Sequence, residues 1–189
     1  EVFIKRIESE QLAWLKKRPI IKVKEIEGLD HWFQYNVAEE ITHILNLINC
    51  LDNENVRDFL RIVLSSIIVK VSNQESDTRF AARNKNIEDG FVFKQFIDKA
   101  KEYLSRIAEF SERANKNVSL TLLNADSRYL TMLADDSVDI IITSPPYANT
   151  YDYYLYHKFR NRWLDIDVKY AQNNEIGSRR EYSSLKKPA

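Results

Sequence analysis

A short apolar run in the C-terminal half constrains the fold of this chain more than any other feature. Residues 138–143 read Val-Asp-Ile-Ile-Ile-Thr and stop at Ser-Pro-Pro-Tyr, residues 144–147. Successive β-branched residues without polar alternation are typical of a strand buried on both faces, and such strands occur in parallel sheets. Residues 118–123 predict an earlier strand, and a helix is expected at about 151–164. The sequence therefore predicts a fragment of a doubly wound α/β sheet.

The chain before residue 117 has a helical period instead. Asn36 with Glu39 three residues later resembles a capping box, and a second helix is expected to start after Asp52 or Asn53. The apolar residues expected to face a core recur at helical spacing in three segments: Val37, Ile41, Ile44, Leu45 and Ile48; Val56, Leu60, Val63, Leu64, Ile67 and Val71; and, in a helix over about 91–114, Phe93, Phe96, Ile97, Ala100, Leu104, Ile107 and Ala114. We therefore predict a mainly helical lobe over residues 1–116 and an α/β half over residues 117–189.

Two other segments of the helical lobe are predicted to be non-helical. Residues 20–26, Ile-Ile-Lys-Val-Lys-Glu-Ile, predict a short strand. Residues 72–86 are polar and have no apolar period, so they predict a loop.

The bulk composition excludes several classes of protein. Twenty-eight basic residues balance 28 acidic ones, so a nucleic-acid surface would have to come from local clustering. Cys50 is the only cysteine, which excludes disulfides within the chain and favours a reducing, cytoplasmic setting. No apolar stretch approaches the roughly 20 residues that span a bilayer. His31, His43 and His157 are too dispersed to indicate a metal site.

The Ser-Pro-Pro-Tyr segment has a specific chemical character. Two successive prolines fix φ near about −65° and stiffen the residue before each of them. Because proline has no N–H, the segment offers hydrogen-bond acceptors without competing donors, which suits a partner that presents an amino group. The exocyclic amine of a nucleobase is such a partner, and Tyr147 adds a flat face on which a flipped base can stack.

The motif Thr-Ser-Pro-Pro-Tyr, preceded by Asn-Ala-Asp at residues 124–126, resembles the catalytic motif of S-adenosylmethionine-dependent DNA amino-methyltransferases, in the form associated with cytosine-N4 methylation. The resemblance implies a partial Rossmann-like, class I methyltransferase sheet, S-adenosylmethionine as cofactor, DNA as partner and a role in restriction–modification. Two alternatives stay open. One is adenine-N6 methylation by the same loop, and the other is a non-catalytic DNA-binding or specificity module with a methylase-like fold.

The resemblance also assigns roles to individual residues. Ser144, Pro145, Pro146 and Tyr147 would be catalytic. The cofactor-binding residues would be Asp126, beside the adenine, together with Ser127 and Thr143. Asp126 has an alternative interpretation as a helix N-cap, and both roles are compatible.

Basic and aromatic residues supply candidates for DNA contact. These candidates are Arg79, Arg83, Lys85, Tyr151, Tyr153, Arg179 and Arg180. The alternatives are that the cations are merely solvated and that about half of the tyrosines face a core.

The chain departs from this family in one respect. Such enzymes hold the cofactor with a glycine-rich turn and an acidic residue, whereas Gly28, Gly90 and Gly177 are isolated from one another. We therefore expect a missing glycine-rich half, which would precede residue 1, follow residue 189 or lie on a second polypeptide. We favour the first arrangement.

Overall fold

A computed structural model describes residues 2–77, 79–147 and 150–179 of the chain. These residues contain α1 (Val2–Lys16), α2 (Leu29–Trp32), α3 (Tyr35–Asn49), α4 (Glu54–Val71), β1 (Gln74–Ser76), β2 (Arg79–Ala82), α5 (Phe91–Arg113), α6 (Tyr153–Trp163) and α7 (Val168–Asn174). Helices α1 and α3 to α6, together with the strands, pack around one hydrophobic core, which we call the helical cluster.

The three helices predicted in the first part are present. Nearly all of their predicted stripe residues are buried or packed against the core. Of the three exceptions, Val56 and Ile107 are 41% and 49% exposed, and Ala114 is half-buried just after the end of α5. Asn53 caps α4 as expected, since its side chain accepts a hydrogen bond from the backbone N–H of Val56 at 3.0 Å. The capping box at Asn36 is wrong. Helix α3 begins at Tyr35, so Asn36 lies inside its first turn, and the Asn36 amide donates to the carbonyl of Ile87 instead, at 2.9 Å.

A buried carboxylate fixes the start of α5. Gly90 precedes the helix with φ of +81°, a conformation that favours glycine, and a Cβ there would lie 3.0 Å from Leu15 Cδ2. Glu40 accepts hydrogen bonds from the backbone N–H groups of Gly90, at 2.6 Å, and Val92, at 3.0 Å. Burial raises the pKa of Glu40 above its ordinary value, although these hydrogen bonds oppose that change.

Two predictions of local structure in this part are wrong. The polar stretch 72–86 is not simply a loop, because it contains the antiparallel pair β1–β2, in which Gln74 faces Ala82. A polar hairpin that packs only one face has no long apolar period for the sequence to reveal. Residues 20–26 form no strand, and Val23 and Ile26 pack against the core from an irregular segment instead.

Helix α6 is part of the same core. Phe159 and Trp163 are 1% and 0% exposed, and the ring of Phe33 lies 5.5 Å from both of their rings. The core therefore contains residues from both sides of residue 117. The division into parts at 116/117 stays a prediction.

Cations from the helical cluster also hold the C-terminal end of α6. Lys24 Nζ donates to the carbonyl of Trp163 at 2.8 Å, and Arg61 Nη2 donates to the carbonyl of Leu164 at 2.7 Å. Positive side chains at this end of a helix satisfy its last carbonyls and oppose the negative end of its dipole. The position of α6 is thus fixed by both packing and charge.

The chain between α5 and α6 has a different character. Residues 115–147, here called the extended segment, have no regular secondary structure, and every one of them is exposed. Some of its hydrogen bonds close local turns. In one of these, the N–H of Tyr129 donates to the carbonyl of Asp126 at 2.9 Å.

The predicted strands in the extended segment do not form. Within the described residues the one sheet is β1–β2, and no parallel pairing is present. The expected burial of residues 138–143 is wrong for this chain, because Ile140, Ile141 and Ile142 are 76%, 82% and 93% exposed. A parallel strand needs hydrogen-bonded neighbours and helices on both faces, and the described part of the chain places neither against residues 138–143. The apolar pattern is compatible with a strand but does not by itself provide its partners.

No described helix combines the length and apolar character needed to cross a membrane.

Candidate functional site

An open cavity of about 680 Å³ lies where the extended segment meets α6 and α7. Its wall includes Asp126 and Ser127 from the predicted cofactor-binding residues and Pro146 from the predicted catalytic residues. The cavity is also lined by Tyr153 of α6, by Tyr170 and Asn174 of α7, and by Glu175, which follows α7. The fold therefore brings two of the sequence-predicted groups to one place, although they are about 20 residues apart in the chain.

The carboxylate of Asp126 is held by its neighbour Arg128. Its Oδ2 lies 2.6 Å from Arg128 Nη2, and its Oδ1 accepts from the backbone N–H of Arg128 at 2.9 Å. These hydrogen bonds to the Arg128 side chain, and then to its backbone, lower the pKa of Asp126 to about 2. Asp126 is therefore ionised at neutral pH. Its backbone contact closes a turn and does not cap a helix, so the alternative interpretation as an N-cap is wrong.

The Ser-Pro-Pro-Tyr bend lies at the surface. Ser144, Pro145 and the preceding Thr143 are exposed and do not line the cavity, which Pro146 alone of the motif borders. The side chain of Tyr147 is also accessible, with the residue 68% exposed. The acceptor groups of the bend are thus open to a partner that approaches from solvent.

A cluster of tyrosines continues from the bend into α6. The ring of Tyr151 lies 6.3 Å from that of Tyr147, 5.9 Å from that of Tyr153 and 6.1 Å from that of Tyr156. Tyr151 and Tyr153 were predicted as DNA contacts, and here they join the bend to the cavity. Their location beside Tyr147 was expected from sequence, whereas the central position of Tyr151 was not.

The first turn of α6 is held from the far end of the described chain. Both carboxylate oxygens of Glu175 accept hydrogen bonds, one from the backbone N–H of Tyr153 and one from that of Tyr154 at 3.1 Å. Asp152, which precedes the helix, does not cap it with its side chain. Its carboxylate accepts from the backbone N–H of Arg179 at 3.0 Å.

The three predicted DNA-contacting cations of the hairpin region lie outside the cavity wall. Arg79 pairs with Glu75, with its Nε 3.1 Å from Oε2, and its side chain is 72% exposed. Arg83 is exposed. Lys85 donates to the carbonyl of Val69 at 3.0 Å and so satisfies the end of α4, while partial burial lowers the pKa of its ammonium group. Lys85 is therefore the least available of the three to a phosphate.

Of the two cations predicted near the C-terminal end, Arg179 is described by the structure and is held by contacts of its own. Arg179 is exposed, and its Nη2 donates to the carbonyl of Thr150 at 2.8 Å. Arg180 lies outside the described residues.

Sequence reasoning missed the contribution of α7 and the residue after it. Tyr170, Asn174 and Glu175 line the cavity, and Glu175 holds α6. No local sequence pattern indicated the role of Glu175, because its hydrogen-bond partners are 21 and 22 residues away in the chain. Across residues 2–77, 79–147 and 150–179, no group of three or more histidine, cysteine or acidic residues is arranged to hold a metal ion.

Comparison with known proteins gives one informative relative. The Type II methyltransferase M.MvaI of Kocuria varians is 23% identical over 163 residues, which cover 79% of this chain and 36% of that protein. The chain thus spans about a third of the length of the curated relative that it matches. No family description and no solved structure matches the chain. The similarity supports a distant relation to a methyltransferase.

Proposed function

We propose that this chain forms part of a DNA methyltransferase that transfers a methyl group from S-adenosylmethionine to the exocyclic N4 amine of a flipped cytosine, in a restriction–modification setting. One observation carries the proposal: Asp126 and Pro146, from two separate parts of the predicted motif, border the same cavity. The similarity to a Type II methyltransferase supports it independently.

The bend provides the chemistry that a cytosine amine requires. This amine is a weak nucleophile because its lone pair is delocalised into the ring. If the Ser144 hydroxyl and the Ser144 or Pro145 carbonyl accept its two hydrogens, the nitrogen is drawn toward tetrahedral geometry and its lone pair is freed. Orientation and polar stabilisation of the developing positive charge would then supply the catalysis, with no covalent enzyme intermediate. S-adenosylhomocysteine would be the leaving group, and the methylated amine would lose its extra proton to solvent at the exposed bend.

A route through cysteine is not part of the proposal. Methylation at C5 of cytosine needs a thiolate nucleophile. Cys50 lies at the C-terminal end of α3 and is absent from the cavity wall.

The cavity fits one end of the cofactor. Asp126 is ionised, and its carboxylate would accept from an adenine amine in place of the longest of its contacts with Arg128, the one from Nε to Oδ2 at 3.2 Å. Ser127 adds a hydroxyl on the same wall, and Thr143 adds one beside the bend. When bound, S-adenosylmethionine supplies an electrophilic methyl group on a sulfonium.

The proposal includes a partner for the extended segment. The three consecutive exposed isoleucines at 140–142 are the pattern of a strand covered on both faces. We therefore propose that residues 118–123 and 138–143 join a class I methyltransferase sheet. The further strands, and the glycine-rich turn, would come from the same protein or from a second chain.

The DNA would approach across the exposed face that carries the bend. Tyr151 and Tyr153 would line the path of the flipped base, and Arg79, Arg83 and Arg179 would contact phosphates. Lys85 and Arg180, predicted with them, remain part of the proposal. The contact of Lys85 with Val69 makes its contribution the smallest.

A second candidate function is a DNA-binding or specificity module without chemistry. The exposure of the predicted strands favours it, because a catalytic site built on an unformed sheet would be poorly ordered. Adenine-N6 methylation is the nearest alternative within the enzymes.

Mass spectrometry of nucleosides distinguishes these functions. DNA is incubated with S-adenosylmethionine and the protein encoded by the full reading frame, and then digested. N4-methylcytosine is the expected product. Detection of N6-methyladenine instead would show that adenine is the target. DNA binding without any methylated nucleoside would favour the non-catalytic DNA-binding module.

A further inference from the structure

We infer that Glu175 is a positioning residue of the methyl-transfer site, because its carboxylate holds the first turn of α6 and so places the tyrosines beside the Ser-Pro-Pro-Tyr bend. This inference rests on the proposed function. It concerns a residue that the motif does not contain.

The hydrogen bonds at the start of α6 explain why an outside acceptor is needed. The first four N–H groups of a helix have no partner within it, and a side chain just before the helix commonly accepts from one of them. Asp152 occupies that position but accepts from the N–H of Arg179 instead. Glu175 takes over this role, with one oxygen for Tyr153 and the other for Tyr154.

A second contact supports the same arrangement. Gln172, in α7, donates from its side-chain amide to the hydroxyl of Tyr154 at 3.1 Å. Helix α7 and Glu175 therefore hold both the backbone and a side chain of the first turn of α6. The negative charge of Glu175 also complements the positive end of the α6 dipole.

The first turn of α6 in turn determines where the aromatic rings lie. Tyr153 borders the cavity together with Glu175, and the ring of Tyr151 lies between those of Tyr153 and Tyr147. Without the carboxylate, the turn would lose two hydrogen bonds and the rings would lose their fixed spacing. We therefore expect Glu175 to affect base capture more than the methyl-transfer step.

The test compares Glu175→Ala and Glu175→Gln with Asn53→Ala. Asn53 also caps a helix, α4, through one hydrogen bond of 3.0 Å, but it lies away from the cavity. Asn53→Ala therefore reports the effect of losing a cap without disturbing the site. Glu175→Gln retains one acceptor oxygen and should behave as a partial rescue.

Two measurements are made on the protein from the full reading frame. In steady-state methyl transfer to unmethylated plasmid DNA, Glu175→Ala should raise KM for DNA about tenfold, the order expected for weakened base stacking, with kcat changed less than about threefold. Glu175→Gln should lie between Glu175→Ala and the wild type. Hydrogen exchange by mass spectrometry should be faster over residues 151–158 in Glu175→Ala and unchanged there in Asn53→Ala.

The outcomes separate this inference from the proposed function. No methyl transfer by the wild type would overturn the proposed function, and the positioning role with it. Transfer by the wild type with an unchanged KM in Glu175→Ala, or an equal rise in Asn53→Ala, would overturn the positioning role alone. Unchanged exchange over residues 151–158 would show that Glu175 does not hold the turn.

Discussion

The helical cluster and the extended segment contain similar apolar residues in opposite environments. Ile41, Ile44 and Ile48 of α3 are 0% exposed, whereas Ile140, Ile141 and Ile142 are between 76% and 93% exposed. A helix forms its hydrogen bonds within itself and needs a partner for one face only. A parallel strand needs at least one neighbouring strand for its hydrogen bonds and a cover on both faces. An isoleucine in a helix can therefore be buried once one face of that helix packs against a neighbour. An isoleucine in a parallel strand is buried only when other strands and helices assemble around it.

The candidate site lies where these two regions meet. Asp126 and Pro146 come from the extended segment, while Tyr153 belongs to α6, which the helical cluster anchors through Phe159 and Trp163. The helical cluster thus acts as a platform for one wall of the cavity.

The largest expected effect comes from removing the anchor of α6. Trp163→Ala should lower the free energy of unfolding by about 3–5 kcal/mol, because it leaves a large cavity in a fully buried position. Urea unfolding followed by circular dichroism measures this. Trp163→Phe is the control and should cost much less, because it keeps an aromatic ring and removes an indole N–H that has no hydrogen-bond partner among the described residues. A loss below about 1 kcal/mol for Trp163→Ala would contradict the packing of α6.

A smaller effect is expected at the buried carboxylate of Glu40. Glu40→Gln leaves one acceptor oxygen for two backbone N–H groups, so the free energy of unfolding should fall by about 1–3 kcal/mol.

The pH dependence of this effect has a defined sign. Because the folded-state pKa of Glu40 is raised above 4.5, its contribution to stability is full below that pH and is lost as pH rises through the folded-state pKa. The difference in unfolding free energy between wild type and Glu40→Gln should therefore be larger at pH 4 than at pH 7. If the difference between the two proteins instead grew with pH, the hydrogen bonds to Glu40 would have a larger effect on its pKa than its burial.

The extended segment should tolerate the kind of change that the helical cluster does not. In the chain of 189 residues on its own, without the proposed partner strands, Ile142→Ser should alter the free energy of unfolding by less than about 0.5 kcal/mol, because the side chain is 93% exposed. Ile44→Ser, at a fully buried position of α3, is the matched control and should be strongly destabilising. Equal losses in urea unfolding would show that the extended segment is packed in solution.

The smallest effect concerns the charge of Asp126. Its pKa is lowered to about 2, so its interaction with Arg128 is complete above 3.8 and is lost as pH falls through about 2. Titration of the side-chain carboxyl by NMR should give a midpoint near 2, and Arg128→Ala should move it toward 3.8. Arg113→Ala removes a comparable ion pair, with Glu109, and should leave the midpoint unchanged. A midpoint near 3.8 in the wild type would show that the pair does not form.

The sequence predicts the elements whose stability is local. Helices α3, α4 and α5 have stripes that repeat every three or four residues. Helix α4 begins after Asn53, and α5 begins at Phe91, both as expected. Residues 138–143 have an equally clear pattern, but no described strand pairs with them and they form no strand. The hairpin β1–β2 was missed since its strands are only three and four residues long.

The candidate site was predictable only in part. The Ser-Pro-Pro-Tyr bend and Asp126 could be found because a short motif carries them, and both border the cavity through Pro146 and Asp126. Glu175 could not be found, because a carboxylate that caps a helix from 21 residues away has no sequence pattern. The hydrogen bond from Lys85 to the carbonyl of Val69 could not be predicted from sequence either, since it depends on how the hairpin folds back on α4.

The most direct test of the proposed site compares two serines of the extended segment. Ser144 and Ser137 are both exposed, and the hydroxyl of Ser137 donates only to the nearby carbonyl of Ala134, at 2.6 Å. In methyl transfer to DNA by the protein from the full reading frame, Ser144→Ala should lower kcat at least about 100-fold, the order expected for removing a hydrogen bond made in the transition state. Ser137→Ala should leave kcat within about twofold of the wild type. An unchanged rate in Ser144→Ala, or equal losses in both variants, would contradict the assignment of the bend as the site of methyl transfer.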